Sequence, residues 1–444
     1  MNWSAYPAYT DSAIPELGDI PQEWRPVRLR HHIKLNPPVP AKVREVGDAT
    51  VPFLPMEAIG EDWSLDLSRS RPVDELLTGY TYFEEGDVLF AKVTPCFENG
   101  KGALINEIPT AHGFGTSEVT TIRPTGGLEQ RFIGYLVQSD RFKQAGVGAM
   151  TGAGGLKRVP DDFVRNFWIG MPSTFEQRII VHFLDCEAAR IDALIDKQEQ
   201  LIATLREDRA STITHTVTKG LNPDTELKYS GTKWLGDVPR HWSVQKLGRT
   251  LNVKTGFAFQ SEDFTDSGIP VLRIGDISPN GRVDLSMAKH LPLEFRHSHD
   301  GFVVNDGDIV IAMTGATVGK PGRLNSGTQA LLNQRVCSLD ANGTQLSNQF
   351  LWFIITSSPY QKYVALTAFG GAQPNISDAE LTEFTIAVPP TEEQALLVAY
   401  LDKRCTKIDS LITKANEVVT VLREYRSALI TAAVTGSINV QGAA

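Results

Sequence analysis

The chain is poor in cysteine, has no long apolar run and shows no excess of positive charge. Its four cysteines, Cys96, Cys186, Cys337 and Cys405, stand far apart without a CxxC pair. That spacing excludes a zinc ribbon and the dense disulfide framework of a small secreted domain, so reduced thiols are expected. A membrane span needs about 18 consecutive apolar residues, and none occur. The opening MNWSAYPAYTDSAIPELGD lacks a basic stretch followed by an apolar one, so no signal peptide and a cytoplasmic location are expected. The formal net charge of −9 argues against a globally basic polyanion binder, because phosphate neutralisation takes clustered Lys and Arg.

What is present is globular material in more than one piece. The apolar fraction of 41% and charged fraction of 21% are those of a folded soluble protein. At 444 residues the chain exceeds one ordinary core, and about 150 residues per domain gives two to four units.

The chain also repeats itself. LGDIPQEW at 17–24 returns as LGDVPRHW at 235–242, and residues 171–220 align without a gap on 388–437 with 20 identities in 50. Between these matches the halves share only a skeleton: EEGDVLFAK (84–92) with NDGDIVIAM (305–313), and the helical FIGYLVQSDRF (132–142) with FLWFIITSSPY (350–360). The order is variable unit, similar segment, variable unit, similar segment, with boundaries expected at 1–170, 171–220, 221–387 and 388–444.

The similar segments read as long helices. Proline precedes Thr174 and Thr391, and Gln177 and Gln394 follow three residues on, the pattern of a capping box. A stripe stepping alternately by four and three then runs through Ile180, Leu184, Glu187, Ile191, Leu194, Gln198, Leu201, Leu205, Asp208 and Thr212, apolar at six of its ten positions. Its counterpart is Leu397, Leu401, Arg404, Ile408, Leu411, Ala415, Val418, Leu422, Tyr425 and Leu429, all but Arg404 apolar or aromatic. This is a coiled-coil seam, and about 40 residues at 1.5 Å each give a spacer of roughly 60 Å. Two equal seams in one chain are most simply satisfied by each other, which also accounts for shared polar pairs such as Lys197/Lys414 and Arg206/Arg423. The variable units read as mixed β with some helix: short apolar strands DVLFAKV and DIVIAMT after a Gly-Asp turn, then Gly-rich loops at 148–158 and 367–375.

Catalytic patterns fail one by one. LNPPVP (35–40) has Val39 where an amino-methyltransferase needs a stacking aromatic, and no cofactor loop precedes it. TGATVGKPG (314–322) has the wrong glycine spacing for a phosphate loop and Pro321 where Ser or Thr is required. HSHD (297–300), like His31 and His32, lacks further ligands at a useful spacing. GxSxG and HExxH are missing, and Pro160-Asp161 leads into no nuclease constellation. By elimination the chain reads as a binder.

Two divergent units, each followed by a matched long helix, resemble the specificity subunits of type I restriction-modification systems. The residues that carry this are LGDIPQEW/LGDVPRHW, GDVLFAK/GDIVIAM, NQRV (333–336), PSTFEQ/PPTEEQ, FLD/YLD, IDALI/IDSLI and LREDR/LREYR. They cover nearly the whole chain. The resemblance implies an α+β fold with two mixed target-recognition domains separated by two helices that pair as an antiparallel coiled coil. It also implies a non-catalytic chain in which each domain reads one half of a bipartite double-stranded DNA site. The helices would set the gap and dock two methyltransferase subunits, with restriction/translocase subunits in the full complex. No cofactor is implied in this chain; S-adenosylmethionine, ATP and Mg would serve the partners. An antiparallel pair turns a tandem repeat into a pseudo-two-fold object, so half-site spacing follows from helix length.

The charge narrows where DNA can lie. Residues 1–170 hold 17 basic against 22 acidic residues and 221–387 hold 14 against 16, so each reading face must be a local patch. The candidate DNA contacts are polar side chains after the paired strands and in the Gly-rich loops. In the first domain they are Lys92, Thr94, Asn99, Lys101, Lys157 and Arg158; in the second, Thr314, Thr317, Lys320, Asn333, Gln334, Arg335, Gln373 and Asn375. Arg and Lys suit guanine, Asn and Gln suit adenine, and some of these side chains will contact phosphate instead. Three other readings stay open: a fused enzyme, a coiled-coil scaffold, and the specificity chain of a related system with one fused nuclease-methyltransferase partner.

Overall fold

The computed structural model describes residues 3–45, 47–153, 155–325, 327–341, 343, 345–368 and 374–442. The chain divides into two compact units, Met1–Glu199 with Glu417–Ala444, and Gln200–Asn416. Each unit combines a variable region with half of each long helix.

In the first unit, Ile33–Leu35, Val119–Pro124, Val88–Ala91 and Gly102–Leu104 form an antiparallel sheet in that order. A second sheet has the order Ser70–Pro72, Thr50–Leu54, His112–Gly115, Thr81–Glu84, with one parallel pair between Thr50–Leu54 and His112–Gly115. The second unit repeats both. Leu251–Thr255, Val336–Ala341, Ile309–Ala312 and Pro321–Arg323 make one sheet; Lys289–Leu291, Ile269–Leu272, Ala330–Leu332 and Val303–Val304 make the other, again with one parallel pair. The Gly-Asp turns deliver Val88–Ala91 and Ile309–Ala312 as wholly buried strands, which is why they read as continuous apolar runs.

The repeated opening phrase is an anchor. After it, Arg25–Arg28 pairs with Trp168–Met171, the strand that leads into the first long helix, and Ser243–Lys246 pairs likewise with Thr385–Val388. Trp24 and Trp242 are buried in the main core of their own unit, Trp242 in the cluster that holds Ile213 and Val217 of the long helix. Gly436, at φ +75° just past its helix, lies where a Cβ would stand 2.6 Å from Pro21, so the close approach requires glycine.

The expected helix over 132–142 is in fact two, Gln130–Gln138 and Asp140–Ala149, and its counterpart is Asn348–Thr356 and Ser358–Thr367. Buried Ser139 and Ser357 break them, each hydroxyl donating to a carbonyl three residues back, Leu136 or Ile354, at 2.6 Å.

The long helices are Thr174–Lys219 and Thr391–Val434. Within the first unit Asp192 meets Arg426 and Glu199 meets Arg423, both at 3.0 Å; within the second Asp208 meets Arg404 at 3.0 Å and Arg209 meets Asp409 at 2.9 Å. Rising numbers on one helix meet falling numbers on the other in the first unit, so the pairing there is antiparallel. The repeat makes Asp192 equivalent to Asp409 and Arg209 to Arg426, so one ion pair is formed twice with the roles of the helices exchanged.

The seam departs from the strict heptad. Ile180, Leu184, Ile191, Leu397, Leu401 and Ile408 are buried and Leu205 and Leu422 partly so, but Leu194, Leu201, Leu411 and Val418 are 47, 45, 42 and 43% exposed. The buried stride is eleven: Ile180, Ile191, Ile202 and Ile213 on one helix, Leu397, Ile408, Val419 and Ile430 on the other. A nearly straight helix drifts about 20° per heptad against a 3.5-residue stripe, while eleven residues complete three turns almost evenly. By the third heptad the inward position has passed from Leu194 to Ile195.

The expected capping box is also replaced. Ser173, one residue earlier, caps the first helix by accepting from the Glu176 amide at 3.2 Å. Gln177 is instead buried: its Nε2 donates to the Pro172 and Gly127 carbonyls and its Oε1 accepts from the Glu129 amide at 2.9 Å. Gln394 does the same with Pro389, Gln345 and the Ser347 amide. Each glutamine ties the start of a long helix to the chain entering the helix pair beside it. No helix among the described residues is long and apolar enough to cross a membrane.

Candidate nucleic-acid interface

In the first unit the candidates gather where the strand Val88–Ala91 ends. The Lys92 amide donates to the Glu118 carbonyl at 2.9 Å and the Lys92 carbonyl accepts from the Val159 amide at 2.8 Å. The Gly-rich loop is a two-stranded ribbon, Thr151–Ala153 with Leu156–Arg158. Thr94 holds it: its amide donates to the Lys157 carbonyl, and its hydroxyl donates to Gly155 O and accepts from the Lys157 amide. Arg158 is fixed as well, its guanidinium donating twice to Glu118 at 2.8 Å. Those bonds hold the Glu118 carboxyl below the ordinary carboxylate range and raise Arg158.

Lys157 is exposed and its ammonium meets no other described residue, whereas Lys101 donates to the Met56 carbonyl at 3.3 Å. Asn99 stands apart, donating to Glu61 at 2.7 Å on the wall of a cleft of about 670 Å³ whose lining includes Glu61, Asp62, Asp192, Asp196 and Glu199. The same lining carries Lys143, Arg423 and Arg426, the last two paired with Glu199 and Asp192, so Asn99 is set apart from the basic group by its place and by its bond to Glu61.

In the second unit the equivalent strand ends in the same ladder. The Met313 amide donates to the Arg335 carbonyl at 2.9 Å, Gly315 N to Pro374 O at 2.9 Å, and Ile376 N to Met313 O at 3.0 Å. Thr314 and Asn375 form a bridge, as Val93 and Arg158 do in the first unit. Thr317 donates to the Thr314 carbonyl at 3.4 Å, and Lys320 closes the turn by bonding backbone to Ala312. Asn333 is partly buried beside Phe257, while Gln334 and Arg335 are exposed. Arg335 meets no other described side chain. Gln373 lies outside the described residues.

Matching the ladders aligns the two sites atom by atom. Glu118 occupies the place of Arg335, Arg158 that of Asn375, and Lys157 that of Pro374. The sequence offered no sign of Glu118, which lies 40 residues from its partner and outside every loop with a motif.

The rejected patterns have structural explanations. Asn36 in LNPPVP, at φ +48°, accepts from the Thr121 amide at 2.9 Å and donates to Asp161 at 3.0 Å. The 314–322 segment runs through a single 3-10 turn, Gly315–Thr317, into the strand Pro321–Arg323, where a phosphate loop would open a helix. His299 stacks on Phe295 at 5.1 Å and abuts Phe257 at 4.9 Å. No group of three metal-ligating side chains occurs among the described residues.

Comparison with known proteins gives the same picture. Residues 239–420 match the family model described as type I restriction modification DNA specificity domain. The Escherichia coli type I restriction enzyme EcoAI specificity subunit is 25% identical over 91% of this chain and 82% of its own length. A chain from a structural study of complex assembly and conformational transition of the type I R-M system superposes with a TM-score of 0.73 at 18% identity, covering 94% of this chain and 98% of that one. The HsdS subunit from Thermoanaerobacter tengcongensis gives 0.51 at 18% identity over the same shares. The duplicated sheets and paired helices are thus the fold of the superposed chains, and the chain is similar in sequence to type I restriction-modification specificity subunits over most of its length.

Proposed function

We propose that this chain supplies DNA sequence specificity to a type I restriction-modification complex and carries no catalytic chemistry of its own. Each unit reads one half of a bipartite site in double-stranded DNA; the paired helices set the gap and dock two methyltransferase subunits, and restriction/translocase subunits join the full complex. S-adenosylmethionine, ATP and Mg act in those partners. The reading domains are residues 1–170 and 221–387, and the segments 171–220 and 388–444 are the spacers.

The observation that carries this reading is the shared ladder with unlike side chains. One backbone frame presents a neutralised Glu118–Arg158 pair and a free Lys157 in the first unit, and a free Arg335 with Asn375 in the second. Two such frames recognise two different short sequences, because base edges distinguish donors from acceptors and not backbone shape. The negative total charge makes partner subunits the main source of phosphate neutralisation, so the isolated chain binds DNA weakly and with strong salt dependence.

The test is co-expression with a methyltransferase partner and genome-wide mapping of methylated bases. A bipartite motif with unlike halves and a fixed gap is expected. A partner complex that methylates without such a motif contradicts the reading and leaves a scaffold. Arg335→Ala is expected to relax one base of one half-site; a uniform loss over all sequences makes Arg335 a phosphate contact.

A further inference from the structure

We propose that the ribbon Thr151–Ala153/Leu156–Arg158 is the element of the first unit that enters the DNA major groove, with Lys157 presented to a guanine edge. The inference rests on the DNA-reading function above and adds the element, the groove and the base.

The ribbon is exposed at every position but Arg158, which is only half-buried. A two-stranded hairpin without a buried face is marginal on its own, yet this one is held as an outer strand pair of the ladder. Thr94 bonds to Gly155 and Lys157, Val93 bridges to Arg158, and Arg158 is clamped on Glu118. Such anchoring fixes a surface that buries nothing, which suits a reading element.

The faces of the ribbon differ. Side chains alternate along a strand, so Arg158 and its cross-strand partner Thr151 share the face turned to Glu118, and Lys157 shares the opposite face with its partner Gly152. Gly152 cannot be replaced, since a Cβ there would stand 2.4 Å from the Leu156 carbonyl oxygen. The outer face is therefore bare backbone with one ammonium. Strands lie about 4.8 Å apart, and a major groove about 12 Å wide admits a two-stranded ribbon. There guanine offers O6 and N7 as acceptors to a lysine. Charge agrees: with Arg158 neutralised by Glu118, the ribbon and the adjoining 92–101 segment still carry Lys92, Lys101 and Lys157 against Glu98, within a region where acids outnumber bases.

The test uses the complex with its methyltransferase partner on the site defined by the wild-type methylation map, footprinted with dimethyl sulfate, which reports guanine N7 in the major groove. Wild type is expected to protect a guanine N7 in the half-site read by the first unit. Lys157→Ala should lose that protection, and with it about tenfold or more discrimination at that base pair, with the other half-site unchanged; Lys157→Arg should retain protection. Lys157 has no packing role, so the variant keeps the fold. Unchanged N7 protection in Lys157→Ala overturns the ribbon proposal and leaves the specificity function standing, whereas a wild-type complex with no half-site motif overturns both.

Discussion

The eleven-residue stride of the long helices makes a sharp prediction at two adjacent residues. Ile195 is 9% exposed and belongs to a cluster with Ile191, Val419 and Ile430, whereas Leu194, the heptad choice, is 47% exposed. Ile195→Ala removes three carbons at about 0.8 kcal/mol each and leaves a cavity, for a total of about 2–5 kcal/mol. Leu194→Ala removes a group already half in water and opens no cavity, so about 1 kcal/mol is expected. For a unit of this size each kcal/mol moves the melting temperature by roughly 2–4 °C. Thermal unfolding followed by far-UV circular dichroism, with hydrogen exchange over residues 174–199 to assign the loss, separates the two. Equal losses, or a larger loss from Leu194→Ala, would refute the eleven-residue seam and restore the heptad.

Three further expectations follow from buried or clamped polar groups. Gln394→Leu strands the Gln345 and Pro389 carbonyls and the Ser347 amide; at about 1–3 kcal/mol per orphaned group, urea unfolding should show a loss above about 2 kcal/mol, and a loss under 1 contradicts the assigned role. Arg123 donates to both oxygens of fully buried Asp87, whose carboxyl burial pushes up despite the pairing, so Arg123→Met should cost about 3–5 kcal/mol by leaving a buried charge alone. Glu118 is held low by Arg158, so the folded state binds its proton more weakly than the unfolded chain. The clamp therefore persists at neutral pH and opens only as pH falls below the range in which an ordinary glutamate takes up its proton. The methyl resonances of Leu156 should report that step, and Glu118→Gln should abolish it.

Much of the architecture was legible because it is written twice. The 217-residue repeat, the buried strands after Gly-Asp and the paired long helices all leave local marks that period and composition expose. The register of the helices was legible only in part: the heptad and eleven-residue stripes share Ile180, Leu184 and Ile191 and separate only afterwards, and Leu194 and Ile195 are equally apolar to a sequence reading. Gln177 and Gln394 were seen but misassigned, because a capping box and a buried tether ask for the same residue one turn into a helix. In the interface, the loops were found from glycine and strand ends, but contacts such as Glu118–Arg158 and the equivalence of Arg335 with Glu118 depend on sheet pairing that no local pattern encodes. The same pairing moved Arg158 and Thr94 into the scaffold and left Lys157 and Arg335 exposed, with no side-chain partner among the described residues.

The most direct test of the central claim is exchange of residues 1–170 for the corresponding region of another specificity chain, followed by methylation mapping in the presence of the same methyltransferase. A new sequence in one half-site with the other half and the gap preserved is the predicted result. Change in both halves, or loss of a fixed gap, would contradict two independent reading units on a shared helical spacer.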